Sequence, residues 1–508
     1  MKNTGKTKRV FYNTMATILQ MLVAQIISLF VSKKVLEVYG SDLNGVNAIL
    51  SNMMDWILLL EGGLTLASNV ALFKPFVEHN YERCNSILSA TKKQFQKIGL
   101  LVLGAGVVLA IVYPLFIKTD IPQWDIFLMF TIMSMSTSFG VFYTRKYALM
   151  LNVSQSEYIN TLITVFVNIV GSAAVFIVAV NGWDYLVIRA VYLAVTVLNG
   201  LIVAFVVKKR YPFINYKTEP DFTAIKGTKD VIFQKITTLL RGSLPMIFIS
   251  VLLSATVASV YSVYVFIYGF VQKLVMMVIN ATQSGIGQLI AERDKKAVYK
   301  VFRVFEFAST VSVVFLMSVA VPMTMPFVRF YTRNVTDVNY IDWWILFFIS
   351  FNIFIQVMHI PSGIIINMSG AFKEDRNFQI ISCIVMGILS FLFSLLWGIY
   401  GLLAGIMVSS LTLAFFEIRY TRSVFFKESY WDLFKPIIFL LLVMIPVCGA
   451  EIALLPAELT IATFVLFGIA LSVVNFVFVY LTIFIVDRDR TKELLNRVKS
   501  IFRKRKKA

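Results

Sequence analysis

The chain is a succession of long apolar runs separated by short polar gaps. The runs fall near residues 10–32, 44–73, 98–117, 125–144, 158–180, 185–207, 231–253, 257–290, 303–327, 341–367, 377–397, 402–418, 436–455 and 460–486. Most reach the roughly 18 residues at which an uncharged segment reads as membrane-spanning. Hydrocarbon offers the backbone no hydrogen-bonding partner, so a span is either an α-helix or a strand of a closed barrel. A barrel strand needs only about 10 residues, far fewer than these runs. The pattern predicts an all-α, polytopic membrane protein with 14 transmembrane helices.

The gaps group the helices. Residues 208–230 contain Pro212, Pro220 and many polar side chains, and read as a linker between an N-terminal six-helix bundle (1–207) and a C-terminal six-helix bundle (231–425). An extra helix pair (436–486) and a basic tail (487–508) follow. Sliding the second half onto the first by 214 residues sets Leu43-Asn44-Gly45-Val46 over Val257-Ala258-Ser259-Val260, and Glu78 over Glu292. This is the weak internal symmetry of transporters built from repeats, which place substrate between the halves near the midplane.

Charge then orients the chain. Of the 47 Lys and Arg, 39 lie in or at the edge of alternate gaps, against Lys33, Lys34, Lys118, Arg189, Arg329 and Arg333 on the opposite side. The positive-inside rule puts the 39, and both termini, in the cytoplasm. The basic start (Lys2, Lys6, Lys8, Arg9) runs into an apolar stretch to Val31 without a small-residue cleavage site, so it reads as a retained first helix rather than a signal peptide. In the tail, Leu494, Leu495, Val498, Ile501 and Phe502 share one helical face among basic residues. That suits either a helix lying on anionic lipid or a solvated tail.

Several chemistries drop out. Cys84, Cys383 and Cys448 are too scattered for a disulfide framework, and with two histidines no metal or other cofactor is expected. No GxxxxGK[ST] phosphate loop occurs, so ATP hydrolysis is not expected of this chain. The longest gap on the outer side, 328–340, carries one acidic residue, Asp337, too little for a membrane polymerase or lipid-sugar transferase. The chain is therefore expected not to be an enzyme.

Two cations remain inside runs. Arg241 sits about ten residues into its helix, roughly 15 Å deep at 1.5 Å per residue, and Lys273 lies mid-run. A charge at that depth is expensive and normally faces a protein interior or a watery cavity. Arg offers a planar fork for phosphate and Lys a compact charge, so both are candidate holders of an anionic substrate. Arg241 shares a stripe with Gln234, Thr237 and Thr238, and Pro245 should kink the helix just beyond it. Asp55 and Glu61 lie at similar depth, either as counter-ions or as carriers of a coupling proton or sodium.

Polar stripes at helical spacing mark candidate cavity walls. One runs through Asn44, Asn47, Ser51 and Asp55 and is extended by Gly62, Thr65 and Asn69; another follows Lys273 through Met277, Asn280, Ser284 and Gln288. Gln25, Asn47, Ser51, Asn69, Tyr268, Asn280, Gln283, Gln356 and His359 are the lining candidates, with interhelical hydrogen bonding as the alternative for the Asn and Ser positions. Gln356, His359 and Asn367 surround Pro361 and Gly363 at an expected bend, where His359 serves either packing or proton transfer. Tyr261, Tyr264 and Tyr268 form one face that either stacks on sugars or packs against helices.

Short motifs add a family. These are Tyr39-Gly40-Ser41-Asp42-Leu43-Asn44-Gly45, Glu61-Gly62-Gly63-Leu64, Ser369-Gly370-Ala371-Phe372-Lys373 and the Gly398-Ile399-Tyr400-Gly401-Leu402-Leu403-Ala404-Gly405 hairpin. With the helix layout, they resemble the Wzx-type polysaccharide flippases of the MATE-like multidrug/oligosaccharidyl-lipid/polysaccharide exporter superfamily. The resemblance implies a V-shaped pair of bundles working by alternating access. It also implies a polyprenyl-diphosphate-linked oligosaccharide as cargo, held at Arg241 and Lys273 and moved from the inner to the outer leaflet of a bacterial plasma membrane. A monomer in the lipid bilayer, with no nucleic-acid partner, is expected. The MurJ-type lipid II flippases of the superfamily usually carry buried arginines in their first helix. Here Val10–Val31 offers only Gln20 and Gln25, which favours a capsule, O-antigen or wall repeat unit over lipid II. A MATE-type drug or cation antiporter is the other transport reading.

Overall fold

The computed structural model describes residues 3–61, 63–225, 229–291, 295–456 and 458–505, and omits the side chains of 3–11, 59, 60, 229–236, 238, 278, 280–289, 291, 295 and 497–505. The helices are α1 (Asn3–Ile57), α2 (Leu64–Val77), α3 (Tyr81–Val112), α4 (Gln123–Phe139), α5 (Arg145–Val153), α6 (Glu157–Val180), α7 (Tyr185–Arg210), α8 (Lys229–Leu252), α9 (Ala255–Ala291), α10 (Lys295–Tyr331), α11 (Trp343–Met368), α12 (Phe372–Arg419), α13 (Trp431–Leu454), α14 (Ile461–Val486) and α15 (Arg488–Arg505). No strand occurs among the described residues.

Among the described residues, eleven helical segments are long and apolar enough to cross a membrane. The difference from the fourteen expected has local causes. Two of the eleven, Tyr12–Ile57 and Phe372–Phe426, each contain two of the apolar runs. The joints are Gly40 (φ 80°, ψ 174°) and the pair Trp397–Gly398, where Gly398 has φ 57° and ψ −132°. Glycine reaches such positive φ without the steric cost of a Cβ. A third run appears as a shorter apolar helix, Leu239–Leu252.

Hydrogen bonds at both ends of the first arm of α1 show that the chain reverses at Gly40. Asn13 bonds the Gln155 carbonyl just ahead of α6 and the Tyr158 amide in its first turn, while the Tyr39 hydroxyl reaches the Trp183 carbonyl beyond its far end. The second arm then starts where Asp42 accepts from Thr119 and Asp120 before α4, and it ends near Arg145 after α4. The two arms therefore run in opposite directions, as two helices joined at the non-helical kink at Gly40.

The run at 44–73, expected as one helix, is interrupted. A 3-10 turn covers Leu58–Glu61, Gly63 adopts φ 87°, and α2 restarts at Leu64. The run at 125–144 ends in a π turn, Gly140–Thr144, that passes directly into α5.

The chain divides into two compact units, Met1–Ser259 and Val260–Ala508. In the first, α1 packs on α6 and α8, α3 on α4, and α7 on both α4 and α6. Its core includes Leu72, Cys84, Ile87, Leu88, Met150 and Val207, none more than 2% exposed. Cys84 is a free, buried thiol. In the second unit, α11 lies against α12, and α10 touches α11, α13 and α14. The arms of α12 meet closely, because a Cβ on Gly405 would overlap the Ser390 backbone. Outward apolar residues such as Leu466 (68% exposed) and Ile485 (79%) are costly in water and ordinary against lipid. The chain is a multi-pass membrane protein.

Candidate functional site

The π turn at Gly140–Thr144 shifts the helix register by one residue and sets Arg145 on the wall of a cavity of about 340 Å³. Turns of this kind recur at functional sites. Ser136 and Thr137 of α4, Thr144, Asn160 and Thr164 of α6, and Thr196 and Asn199 of α7 supply the other polar groups of a mixed lining that also includes Leu58, Val141 and Ala148. The Arg145 guanidinium stands 3.5 Å from the Glu61 carboxylate, which also accepts from the Thr65 hydroxyl. Arg145 remains 46% exposed in its side chain and Glu61 15%. Arg145 carries five donors in a rigid fork, and Glu61 occupies one edge of it, so an anion in the cavity can be met without breaking the pair. In the sequence Arg145 resembles a loop charge, because it stands at the end of an apolar run. The signal that finds it is the spacing of Asn160 with Thr164 and of Thr196 with Asn199, which puts each pair on one helix face.

The other expected residues of the first unit are spread along α1, α2 and α8. Asn47 accepts from Arg189, whose guanidinium lies 5.2 Å from the Tyr185 ring centre. Arg189, expected as an outer loop charge, is only 6% exposed. Ser51 is exposed and donates to the Asn47 carbonyl at 2.8 Å, a bond within its own helix. Asp55 is exposed near the end of α1. Asn69 is partly buried, and its Oδ1 has no protein partner. Gln25 is partly buried on α1 and is not among the residues that line a separate 220 Å³ cavity, which include Gln20, Ser28, Asn168 and Tyr192. Arg241 is partly buried on α8, four residues ahead of Pro245.

Lys273 belongs to the second unit, where its side chain is exposed on α9. Its neighbour Gln272 donates to Gln356 at 3.2 Å. Tyr268 is fully buried, with its hydroxyl 3.1 Å from that of Thr324, and the Tyr264 hydroxyl reaches the Tyr340 carbonyl at 2.8 Å. These two rings pack within the unit. His359 is buried with Nδ1 2.8 Å from the Glu417 carboxylate. A Cβ on Gly363 would press on that carboxylate, so glycine is what leaves room for it. Asp375, 1% exposed, accepts from Gln379 nearby. Glu417 and Asp375 escape the sequence because each stands beside other charges at an end of α12, Asp375 between Glu374 and Arg376 and Glu417 near Arg419, and so resembles a loop charge. The side chains of Asn280, Gln283, Gln234, Thr238, Ser284 and Gln288 lie outside those described.

No protein-family model matches the chain, and no curated protein matches it by sequence. Solved structures do match. A structure of the lipid II flippase MurJ in an inward closed conformation superposes with a TM-score of 0.61 at 14% identity, covering 93% of this chain and 99% of that one. The fold is that of the MurJ and MATE transporters. The MATE multidrug transporter DinF-BH gives 0.57 at 12% identity over 84% of this chain and 98% of that one. An inward-facing MATE family transporter of the MOP superfamily gives 0.54 at 13% identity over 80% and 96%. At such identities the likeness concerns architecture, and the cargo has to be argued from side chains.

Proposed function

We propose that this protein is a flippase that carries a polyprenyl-diphosphate-linked oligosaccharide, a capsule, O-antigen or wall repeat unit, from the inner to the outer leaflet by alternating access. The observation that carries the reading is the near-complete superposition on the MurJ flippase, 93% of this chain against 80–84% for the two MATE transporters.

Side-chain chemistry supports a large anionic lipid over a cationic drug. Arg145, Arg241 and Lys273 supply positive charge for a diphosphate. Within the second unit an apolar cavity of about 450 Å³ under α13, lined by Met317, Val321, Phe351, Phe354, Met444 and Ile452, suits part of a polyprenyl chain. Lipid II is the second reading, favoured by the likeness to a lipid II flippase and opposed by the absence of arginine from Val10–Val31. Both readings share the diphosphate. The same proposal places the protein in a bacterial plasma membrane, as a monomer, with its basic loops and both termini in the cytoplasm. Movement would run on a proton or sodium gradient or on the substrate gradient.

The test is export of surface glycan in cells that depend on this gene. Arg241→Gln and Lys273→Gln are each expected to abolish export while the protein stays folded and abundant in the membrane. Full export by both variants overturns the diphosphate role.

A further inference from the structure

Away from the cavity, three lysines converge on a tyrosine cage at the end of the first unit where α1 begins. Lys146 of α5 is 6% exposed. Its ammonium lies 4.8 Å from the ring centre of Tyr143, 5.1 Å from Tyr147 and 5.9 Å from Tyr216. Lys92 of α3 stands 5.9 Å from the Tyr216 ring, and Lys208 in the last turn of α7 stands 5.9 Å from Tyr147. Both are near enough for their charges to act on Lys146.

The cage is built, not incidental. Asn85 clasps the segment after α7 through the Phe213 carbonyl and the Asn215 amide, and Ser89 bonds Thr218. That anchoring brings the Tyr216 hydroxyl to 3.2 Å from the Lys146 carbonyl. Among the described residues no carboxylate lies within ion-pairing distance of Lys92, Lys146 or Lys208. Ring faces attract a cation, but they do not offset mutual repulsion among three ammonium groups, and a desolvated charge calls for a counter-charge.

We infer that Lys92, Lys146 and Lys208 form a binding site for a phosphate group, independent of the transported cargo. Phosphate is the class that fits, since compact ammonium groups bind its oxygens as point charges and basic pockets between membrane helices take anionic headgroups. The phosphate comes either from an anionic lipid headgroup or from solution.

The test uses full-length protein in phosphatidylcholine nanodiscs, with phosphatidylglycerol added in one arm and inorganic pyrophosphate in the other. Wild type is compared with Lys92→Gln/Lys208→Gln, with Lys146→Met and with Lys97→Gln, an exposed lysine on α3 outside the cage. Native mass spectrometry reads retained ligand and a fluorescence melt reads stabilisation. Each lysine removed should weaken retention about fivefold, so the double variant should lose roughly 25-fold while Lys97→Gln matches wild type. A response confined to phosphatidylglycerol identifies the lipid as source, and a response to pyrophosphate identifies the free anion. Should Lys146→Met fail to fold, the double variant, altered at one partly buried and one exposed position, still decides. Equal retention by wild type and the double variant in both arms, or no wild-type response in either, overturns the site.

Discussion

Arg422 and Glu306 offer the sharpest test of how this membrane fold is held together. Arg422, in the π turn Tyr420–Phe426 after α12, is fully buried; one guanidinium nitrogen pairs with Glu306 of α10 and the other donates to the Ser429 carbonyl at 2.8 Å. Glu306 is 1% exposed, and its second oxygen has no protein partner. Replacing Arg422 by Met strands a buried carboxylate, which costs about 3–5 kcal/mol. The Ser429 carbonyl also loses its donor, worth about 1–3 kcal/mol if it stays dry. Arg490 lies near enough to act on Glu306, although it is tied to Asp487 at 2.6 Å and to the Asp432 carbonyl at 2.9 Å. That residual attraction puts the expected loss near about 4 kcal/mol, the lower part of the combined range. The converse change, Glu306→Leu, strands the arginine and should cost a similar amount. Because isolated charges are expensive and a matched apolar pair is not, Glu306→Leu/Arg422→Met should fall within about 2 kcal/mol of wild type. Apparent melting temperatures of purified protein in one detergent provide the assay. The expected order is wild type close to the double variant, with both well above either single variant. A double variant that melts at or below the worse single one would refute the argument, because the pair would then be contributing geometry that apolar side chains cannot replace.

Other outcomes follow from the same contacts. Arg145→Gln should reduce glycan export more than Glu61→Gln, since the first removes the cavity's cation and the second only frees it; equal effects in an export assay would count against a role for Arg145 in binding. Gly405→Ala should lower the melting temperature through a loss of about 1–3 kcal/mol, because the new methyl meets the Ser390 backbone, which cannot rotate away. Gly363→Ala should uncouple His359 from Glu417, visible as altered exchange of the imidazole protons by NMR, whereas Gly104→Ala, with open space around its Cβ, should change neither. The Thr223 hydroxyl and nearby backbone amides hold the Asp221 carboxyl below the usual carboxylate range. The anchoring of residues 221–225 is therefore complete above about pH 4, the ordinary carboxylate value, and is lost as pH falls through the lowered one. Hydrogen exchange in that segment should accelerate only under strong acid.

Helix type and approximate extent were legible because hydrophobic run length is the strongest signal a membrane chain carries. What the runs could not convey was how they join. Gly40 and Gly398 read as gaps between separate helices, and each is a non-helical joint between two helical arms, where a positive φ turns the chain without any intervening loop. Glu61-Gly62-Gly63 read as helix interior, and Gly63 instead ends it. Residue roles were less legible because charge at a run's edge looks like loop charge. Arg145, Arg189 and Arg422 all sit at such edges, yet Arg189 and Arg422 are buried and Arg145 lines a cavity. Conversely, Tyr264 and Tyr268 share a face as their spacing implied, and tertiary packing, which periodicity does not encode, decides that the face is closed.

The reversal at Gly40 leaves the first two arms of the chain with no slack between them. A one-residue insertion beside it would rotate the entire second arm by about 100°. Asn47 would swing away from Arg189, and Ser51 and Asp55 would move to a different wall. Length variation should therefore be better tolerated in the anchored segment after α7 than at this turn, where a single added residue amounts to reassigning which face of a helix the interior sees.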